Sequence, residues 1–427
     1  MKRQETYFLI FITFISFIIR LFYILSHSAS LLHGDENLYI QFSNSILNGK
    51  GLAFEGVPTS FYPPLIPYLL ACFFKIVGGN ILLFKIFQAL LTSFFCVPFY
   101  LFTKKICSKQ TAIYASVFYA IYISLIAVSN NVLTEAIFTL LFLLSIFSFI
   151  NSKTTLSALI SGVLLGLASL TRPIVMYLPF FFIIFIIIQK KYFKLAFVFG
   201  FCLTLLPWTI RNYKIHHAFV PITTYSGYVL YNSSHPVEGK KFGFMTPPDA
   251  VMKQAEEMKP EIERNRFLML SGIRFILDHP ILYLKLAVLK ILMFFCPFDW
   301  ELIRKTENGT FNFTYATIFP LFLIGVYLVL FKKRNFSANH IFLISLFGYF
   351  LFFTVFSYGS PRFRLPLEPL MIIYASVAFT HFYKKFRHKF ILYGLFFGLL
   401  SFNYYIYLYS NTYKTLIAGW MSSIGLW

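Results

Sequence analysis

A chain of 427 residues that is 58% apolar and 12% charged, with a mean hydropathy of +0.71, is not a soluble globular protein, in which about a quarter of the residues carry charge. A crossing helix takes about 20 apolar residues, so the length has room for about eleven to thirteen spans. The 37 Lys and Arg against 16 Asp and Glu, a net charge of +21, fit cytoplasmic loops and anionic lipid and do not call for nucleic acid.

In chain order, Lys2 and Arg3 precede an apolar run over 7–26 with no small-residue cleavage site after it, which predicts an uncleaved first span and a cytoplasmic N-terminus. Further spans are expected over 80–103, 111–129, 133–150, 155–171, 174–188, 195–210, 314–331, 338–357, 367–383 and 390–409. With these eleven, the short basic turns at Lys104, Lys105 and Lys109, at Lys153, at Lys190, Lys191 and Lys194, at Lys332, Lys333 and Arg334, and at Lys384, Lys385, Arg387 and Lys389 all fall on the cytoplasmic side. Counting 281–297 as a span would reverse every later loop, and it carries Lys285 and Lys290, so it reads as an interfacial helix. The segment 65–77 is too short to cross and reads the same way. Two long outer loops result, 28–80 and 212–313, and helical patterning over 256–275 suggests a small folded module in the second. The chain thus divides into an N-terminal membrane part (1–211), an outer loop module (212–313) and C-terminal membrane helices (314–427), an all-α polytopic architecture.

The acids are scarce, four Asp and twelve Glu, so their places carry information. Asp35 and Glu36 lie just beyond the outer end of the first span, and Glu135 at the outer start of the fourth. A carboxylate near hydrocarbon costs about 2.5–3.5 kcal/mol to insert, which marks Glu135 as a candidate, with a water-exposed interfacial Glu or a helix-capping Thr134-Glu135 as the plain alternatives. Four arginines run against the positive-inside trend on that same side: Arg172, Arg211, Arg362 and Arg364. Any one could snorkel to the headgroups; four at different helix ends suit a shared anionic ligand, since guanidinium matches phosphate oxygens and keeps its charge in a low dielectric. Glu368 either pairs with Arg364 or serves the site. The five scattered cysteines form no metal or disulfide pattern, His216-His217 has no completing ligand nearby, and three glycosylation sequons, at Asn232, Asn308 and Asn312, have meaning only in a host with that machinery.

The stretch His33-Gly34-Asp35-Glu36-Asn37-Leu38-Tyr39, then Ser45-Ile46-Leu47-Asn48-Gly49 and Tyr62-Pro63-Pro64-Leu65-Ile66-Pro67-Tyr68, resembles the first outer loop of the GT-C membrane glycosyltransferases. The likeness is greatest to the bacterial branch related to protein O-mannosyltransferases and lipid A aminoarabinose transferases. Val132-Leu133-Thr134-Glu135, Gly166 to Pro173, Leu206 to Tyr213 and Arg362-Phe363-Arg364-Leu365-Pro366 agree in order, over roughly 7–385. The resemblance implies a GT-C bundle with interfacial helices in the first outer loop. It implies inverting transfer of a sugar from a polyprenyl-phosphate donor to a protein, glycan or lipid acceptor at the outer face of a bacterial plasma membrane. Asp35 matches the catalytic base, Glu135 a second acid and Arg172 a lipid-phosphate position; Glu36 is grouped with the acids, and Tyr39 and Tyr62 with the substrate. Phe61-Tyr62 stands where aminoarabinose transferases carry Glu-Lys before the Pro-Pro. That departure argues against aminoarabinose transfer and leaves a divalent metal as an open cofactor. A non-catalytic transporter or flippase of a lipid-linked or anionic solute is the alternative. It is disfavoured by the lack of an internal repeat and by candidate residues at the outer end rather than mid-bilayer. A purely structural membrane subunit would leave the placement of acids and arginines a coincidence.

Overall fold

The computed structural model describes residues 3–27, 34–234, 250–258, 260–298, 311–332, 337–386, 389–409 and 419. Lys2, His33, Asn308, Lys333, Arg334 and Arg387, singled out above, lie outside them. The described chain is helical, with one two-stranded antiparallel hairpin, β1 (Ala53–Phe54) and β2 (Val57–Pro58). Helix α1 (Arg3–Ser26) leads to α2 (Asp35–Leu47) and α3 (Leu65–Val77). A membrane block follows: α4 (Ile81–Phe94), α5 (Cys96–Ile106), α6 (Lys109–Ile121), α7 (Ile123–Ala127), α8 (Glu135–Asn151), α9 (Thr155–Thr171), α10 (Leu178–Gln189) and α11 (Ala196–His216). Next come α12 (Ser226–Ser234), α13 (Ala250–Glu257), α14 (Glu261–Asp278) and α15 (Pro280–Phe294), then α16 (Phe313–Tyr327), α17 (Ala338–Val355), α18 (Glu368–Lys385) and α19 (Lys389–Leu408).

Among the described residues six helical stretches are long and apolar enough to cross a membrane: Arg3–Ser26, Ile81–Ile106, Tyr192–His216, Phe313–Lys332, Ala338–Val355 and Pro361–Lys385. Each falls on an expected span, and the protein is an integral multi-pass membrane protein. The expected third span is instead a broken one: Lys109–Ile121 and Ile123–Asn130 meet at 55°. Helices α8 and α9 are apolar but only 17 residues each, about 25 Å at 1.5 Å per residue, against a core of about 30 Å. The helix expected over 256–275 is two, α13 and α14, because Pro260 has no N–H to continue a helix and caps α14 in an extended conformation. With α12 they bury Tyr231, Met252, Ala255 and Leu268 as a small core of their own.

Lipid supplies no hydrophobic force between helices, so close backbone contact holds them. Helices α9 and α11 pack through Gly162, Gly166 and Gly200; a methyl group on Gly162 would lie 1.9 Å from the Phe197 carbonyl oxygen. Gly325 brings α16 equally close to α18 at Tyr374. Helix α18 is the axis of the bundle, with Glu368 through Thr380 buried on every face.

The two ends of the bundle differ in chemistry. At one end Lys104 and Lys109 hold Glu5, at 2.9 and 3.5 Å. There too Lys105 donates to Asn151 at 2.6 Å and Lys194 to the Phe149 carbonyl at 2.7 Å. The opposite ends of α8, α9 and α18 lead away from these lysines to the residues described next. The sequence reading did not single out Arg20. Arg20, in mid-α1, is fully enclosed, lies over the Tyr119 ring at 5.4 Å and donates to the Ser16 hydroxyl, the Ser16 carbonyl at 3.1 Å and the Ala120 carbonyl at 3.5 Å.

Candidate active site

Asp35 and Glu135 open α2 and α8 respectively, so both carboxylates sit in the first turn of a helix, where the exposed N–H groups favour negative charge. Thr134 makes no side-chain cap, so capping does not account for Glu135. Arg172 closes α9: the following Pro173 forbids helical geometry at Arg172, whose backbone swings to φ −144°, ψ 113° and turns the side chain out of the helix line. Arg362 lies in the 3-10 turn Pro361–Phe363 ahead of α18, its N–H accepted by the Ser360 hydroxyl at 3.2 Å.

These four side chains, far apart in the chain, form one network. Glu135 is fully enclosed, and its Oε1 accepts from Arg172 Nη1 at 2.7 Å and from Arg362 Nε. The Arg362 fork extends beyond Glu135 to Asp35 Oδ2, with Nη1 at 3.4 Å and Nη2 at 3.5 Å. Arg172 is further held between aromatic rings, Phe363 at 5.0 Å and Phe138 at 5.8 Å. Glu135 also borders a cavity of about 10 Å³ lined by Thr92, Tyr119 and Thr139, among others. Two acids thus face two guanidinium groups, and only one acid is accessible: Asp35 is 42% exposed and Glu135 0%.

Aromatic rings wall this network. Tyr39 is buried on α2, 6.5 Å from Tyr62, and Tyr62 lies 5.2 Å from Phe42 and 6.1 Å from Tyr225. Burial and then the charge of Asp35 push the Tyr62 phenol up to about 12, and burial followed by Asp35 and Glu135 raises Tyr39 as well. At neutral pH both are hydrogen-bond donors rather than bases.

The other expected site residues stand elsewhere. Glu36 is buried and accepts the Val132 N–H at 2.8 Å, pinning α2 to the turn before α8. Arg211, expected at the phosphate, is a strap: Nη1 reaches the Thr59 carbonyl and Ser60 hydroxyl at 2.8 Å, and Nη2 the Leu52 carbonyl at 2.9 Å, over the Trp208 ring. Arg364 is also away from the network. Fully buried, it pairs with Glu368 at 2.9 Å, donates to the Phe294 carbonyl and to the Cys296 carbonyl at 3.0 Å, and stacks on Tyr315. Sequence reasoning also missed Glu261, which accepts from the Thr59 hydroxyl, the Ser60 N–H at 3.0 Å and the Thr224 hydroxyl at 2.9 Å; the adjoining Ser60 hydroxyl contacts His216. No local pattern announces a contact across 200 residues. Replacing Arg211 with Gln is therefore expected to loosen the loop over 52–60, seen as faster proteolysis there, and to leave affinity for a phosphate ligand within about twofold, since a displaced loop and not a lost ligand is the direct effect.

Among the described residues no three His, Cys, Asp or Glu side chains come together to hold a metal ion. The positive charge facing Asp35 and Glu135 is that of Arg362 and Arg172.

The fold has solved counterparts among archaeal oligosaccharyltransferases. The archaeal oligosaccharyltransferase AglB from Archaeoglobus fulgidus, in complex with an inhibitory peptide and a dolichol-phosphate, superposes with a TM-score of 0.58 at 14% identity over 96% of this chain and 56% of that one. The apo form of the Archaeoglobus fulgidus enzyme gives 0.56 at 15% identity over 95% and 54%. Its complex with Zn and sulfate gives 0.54 at 16% identity over 94% and 51%. The chain spans about half the length of these proteins. In sequence, residues 62–210 match the dolichyl-phosphate-mannose-protein mannosyltransferase family model, a stretch that holds Tyr62, Glu135 and Arg172. No curated protein matches the chain.

Proposed function

We propose that the protein transfers a sugar from a polyprenyl-phosphate donor to a hydroxyl or amine nucleophile of an acceptor, at the outer face of a bacterial plasma membrane. The observation that carries this reading is the four-residue network: one accessible carboxylate beside two arginines fixed on a buried one, at a helix end of a GT-C fold. The lysine-rich turns at the other end fit a cytoplasmic N-terminus and an outer site. Residues 1–211 and 314–427 would form the membrane bundle, with 212–313 as the outer module over the site.

In the proposed reaction, Asp35 accepts the proton of the acceptor group as its oxygen or nitrogen bonds to the anomeric carbon. The bond from that carbon to the phosphate oxygen breaks on the opposite face, so a single displacement inverts the configuration and needs no covalent enzyme intermediate. The departing phosphate gains charge, which Arg172 and Arg362 are placed to stabilise. Glu135 keeps both guanidinium groups oriented, and the Tyr39 and Tyr62 phenols offer donors to the sugar.

Purified protein in nanodiscs, incubated with a panel of polyprenyl-phosphate sugars and candidate acceptors, tests this. Release of polyprenyl phosphate with transfer of the sugar, in the opposite anomeric configuration, is the expected result. Donors that bind and exchange across the bilayer without cleavage would overturn it in favour of a carrier.

A further inference from the structure

We infer that Arg362 is an exchange residue: it pairs with Asp35 and releases it when a phosphate group of the donor takes the same guanidinium fork. The inference rests on the donor reading above and adds an order of events to it.

Three geometric features lead there. The Arg362 Nε is committed to Glu135, which is enclosed, so the inner edge of the guanidinium is anchored. Its outer edge, Nη1 and Nη2, meets Asp35 at 3.4 and 3.5 Å, longer than the 2.7–2.9 Å or so of a tight charge-assisted bond. Asp35 is also the exposed member of the pair, where water and salt weaken the attraction. Arg172, by contrast, is bound to Glu135 at 2.7 Å and bracketed by Phe138 and Phe363. One arginine is therefore held throughout, while the other offers a two-nitrogen edge to a weak partner.

A phosphate presents two oxygens at the spacing that this edge fits. A ligand shifts such an equilibrium only by its differential affinity for the two arrangements. Here that difference is the replacement of a half-exposed carboxylate by a phosphate. Once the fork turns to phosphate, Asp35 loses its cationic partner and becomes available to an acceptor proton. Before then, the same cation occupies the carboxylate. Donor binding would thus precede and enable activation of the acceptor.

Competition between Asp35 and phosphate for one group has a thermodynamic signature. Undecaprenyl phosphate binding is measured in nanodiscs for wild type, Asp35→Asn, Arg362→Gln and the double variant, with inorganic phosphate as a second arm. Asp35→Asn is expected to tighten phosphate binding about two- to fivefold, the size of a half-exposed ion pair, and to do so only when Arg362 is present. An equal gain in the Arg362→Gln background would reduce the effect to general electrostatics and overturn the exchange, as would no gain in either. Arg362→Lys keeps the charge and guards against a folding defect; without the two-nitrogen edge it should lose most of the Asp35-dependent gain, and a full gain there would also overturn the exchange. Failure of wild type to bind undecaprenyl phosphate would remove the donor reading itself. The same coupling seen with inorganic phosphate alone would keep the exchange and reassign its ligand to a soluble anion.

Discussion

Asp35→Asn is expected to leave a folded, membrane-inserted protein whose donor turnover falls by about two to four orders of magnitude, the usual contribution of a positioned general base. The change is nearly isosteric at a helix terminus with 42% exposure, so its structural cost is small. Loss of the carboxylate is expected to tighten phosphate binding, so the defect should appear in kcat and not as weaker donor affinity. Glu135→Gln should look different. It weakens the hold on both arginines and so raises the donor KM along with lowering kcat. Near-normal turnover by Asp35→Asn, in protein that elutes and melts as wild type does, would assign the base to another group.

The second large effect is on stability. Glu368→Leu strands the Arg364 guanidinium in a fully enclosed site, and removing one partner of a buried ion pair typically costs about 3–5 kcal/mol. A marked fall in Tm in detergent, with loss of monodisperse protein, is the expected outcome. The double variant Arg364→Met with Glu368→Leu should recover part of that loss, because the uncompensated charge is gone. Recovery stays incomplete, since Arg364 also satisfies the Phe294 and Cys296 carbonyls, and each buried acceptor left unpaired costs about 1–3 kcal/mol. If the double variant were no more stable than Glu368→Leu, the carbonyl contacts would be the larger part of the Arg364 contribution.

The contrast between Arg362 and Arg364 shows how far the sequence reaches. Sidedness, read from basic turns, groups Arg172, Arg362, Asp35 and Glu135 on one side, and in the structure these four side chains touch. It cannot separate two arginines two residues apart. In a 3-10 turn, with about three residues per turn, such neighbours project in different directions. One therefore meets Glu135 and the other turns into the core under Tyr315. Arg211 eluded the reading for a related reason: two of its partners are backbone carbonyls of a loop about 150 residues earlier, and carbonyls leave no mark in composition. Arg20 was legible in principle. It falls in the inward row Leu9, Ile12, Ser16, Arg20 and Ile24, a helical spacing that the apolar run around it conceals. The helix boundaries were better specified. Asn80 caps α4 through the Leu83 N–H, and Thr154 with Ser157 forms a reciprocal cap on α9, so both starts are written locally.

The enclosed position of α18 bears on how the molecule is made. This axial helix is encoded after residue 367, so α1 through α17 leave the ribosome before the element around which they close. Until then the inner faces of α6 and α16 have no partner in the bundle, and Gly325 faces an unfilled groove. The turn that carries Arg362 arrives with the same segment, so Asp35 does not meet its guanidinium, nor Glu135 its second, until the helices before it have been inserted. Assembly of the membrane core and arming of the site are in this way a single late event in biogenesis. A nascent chain stalled before Glu368 would be inserted, loosely packed and inactive, and thereby open to membrane quality-control proteolysis.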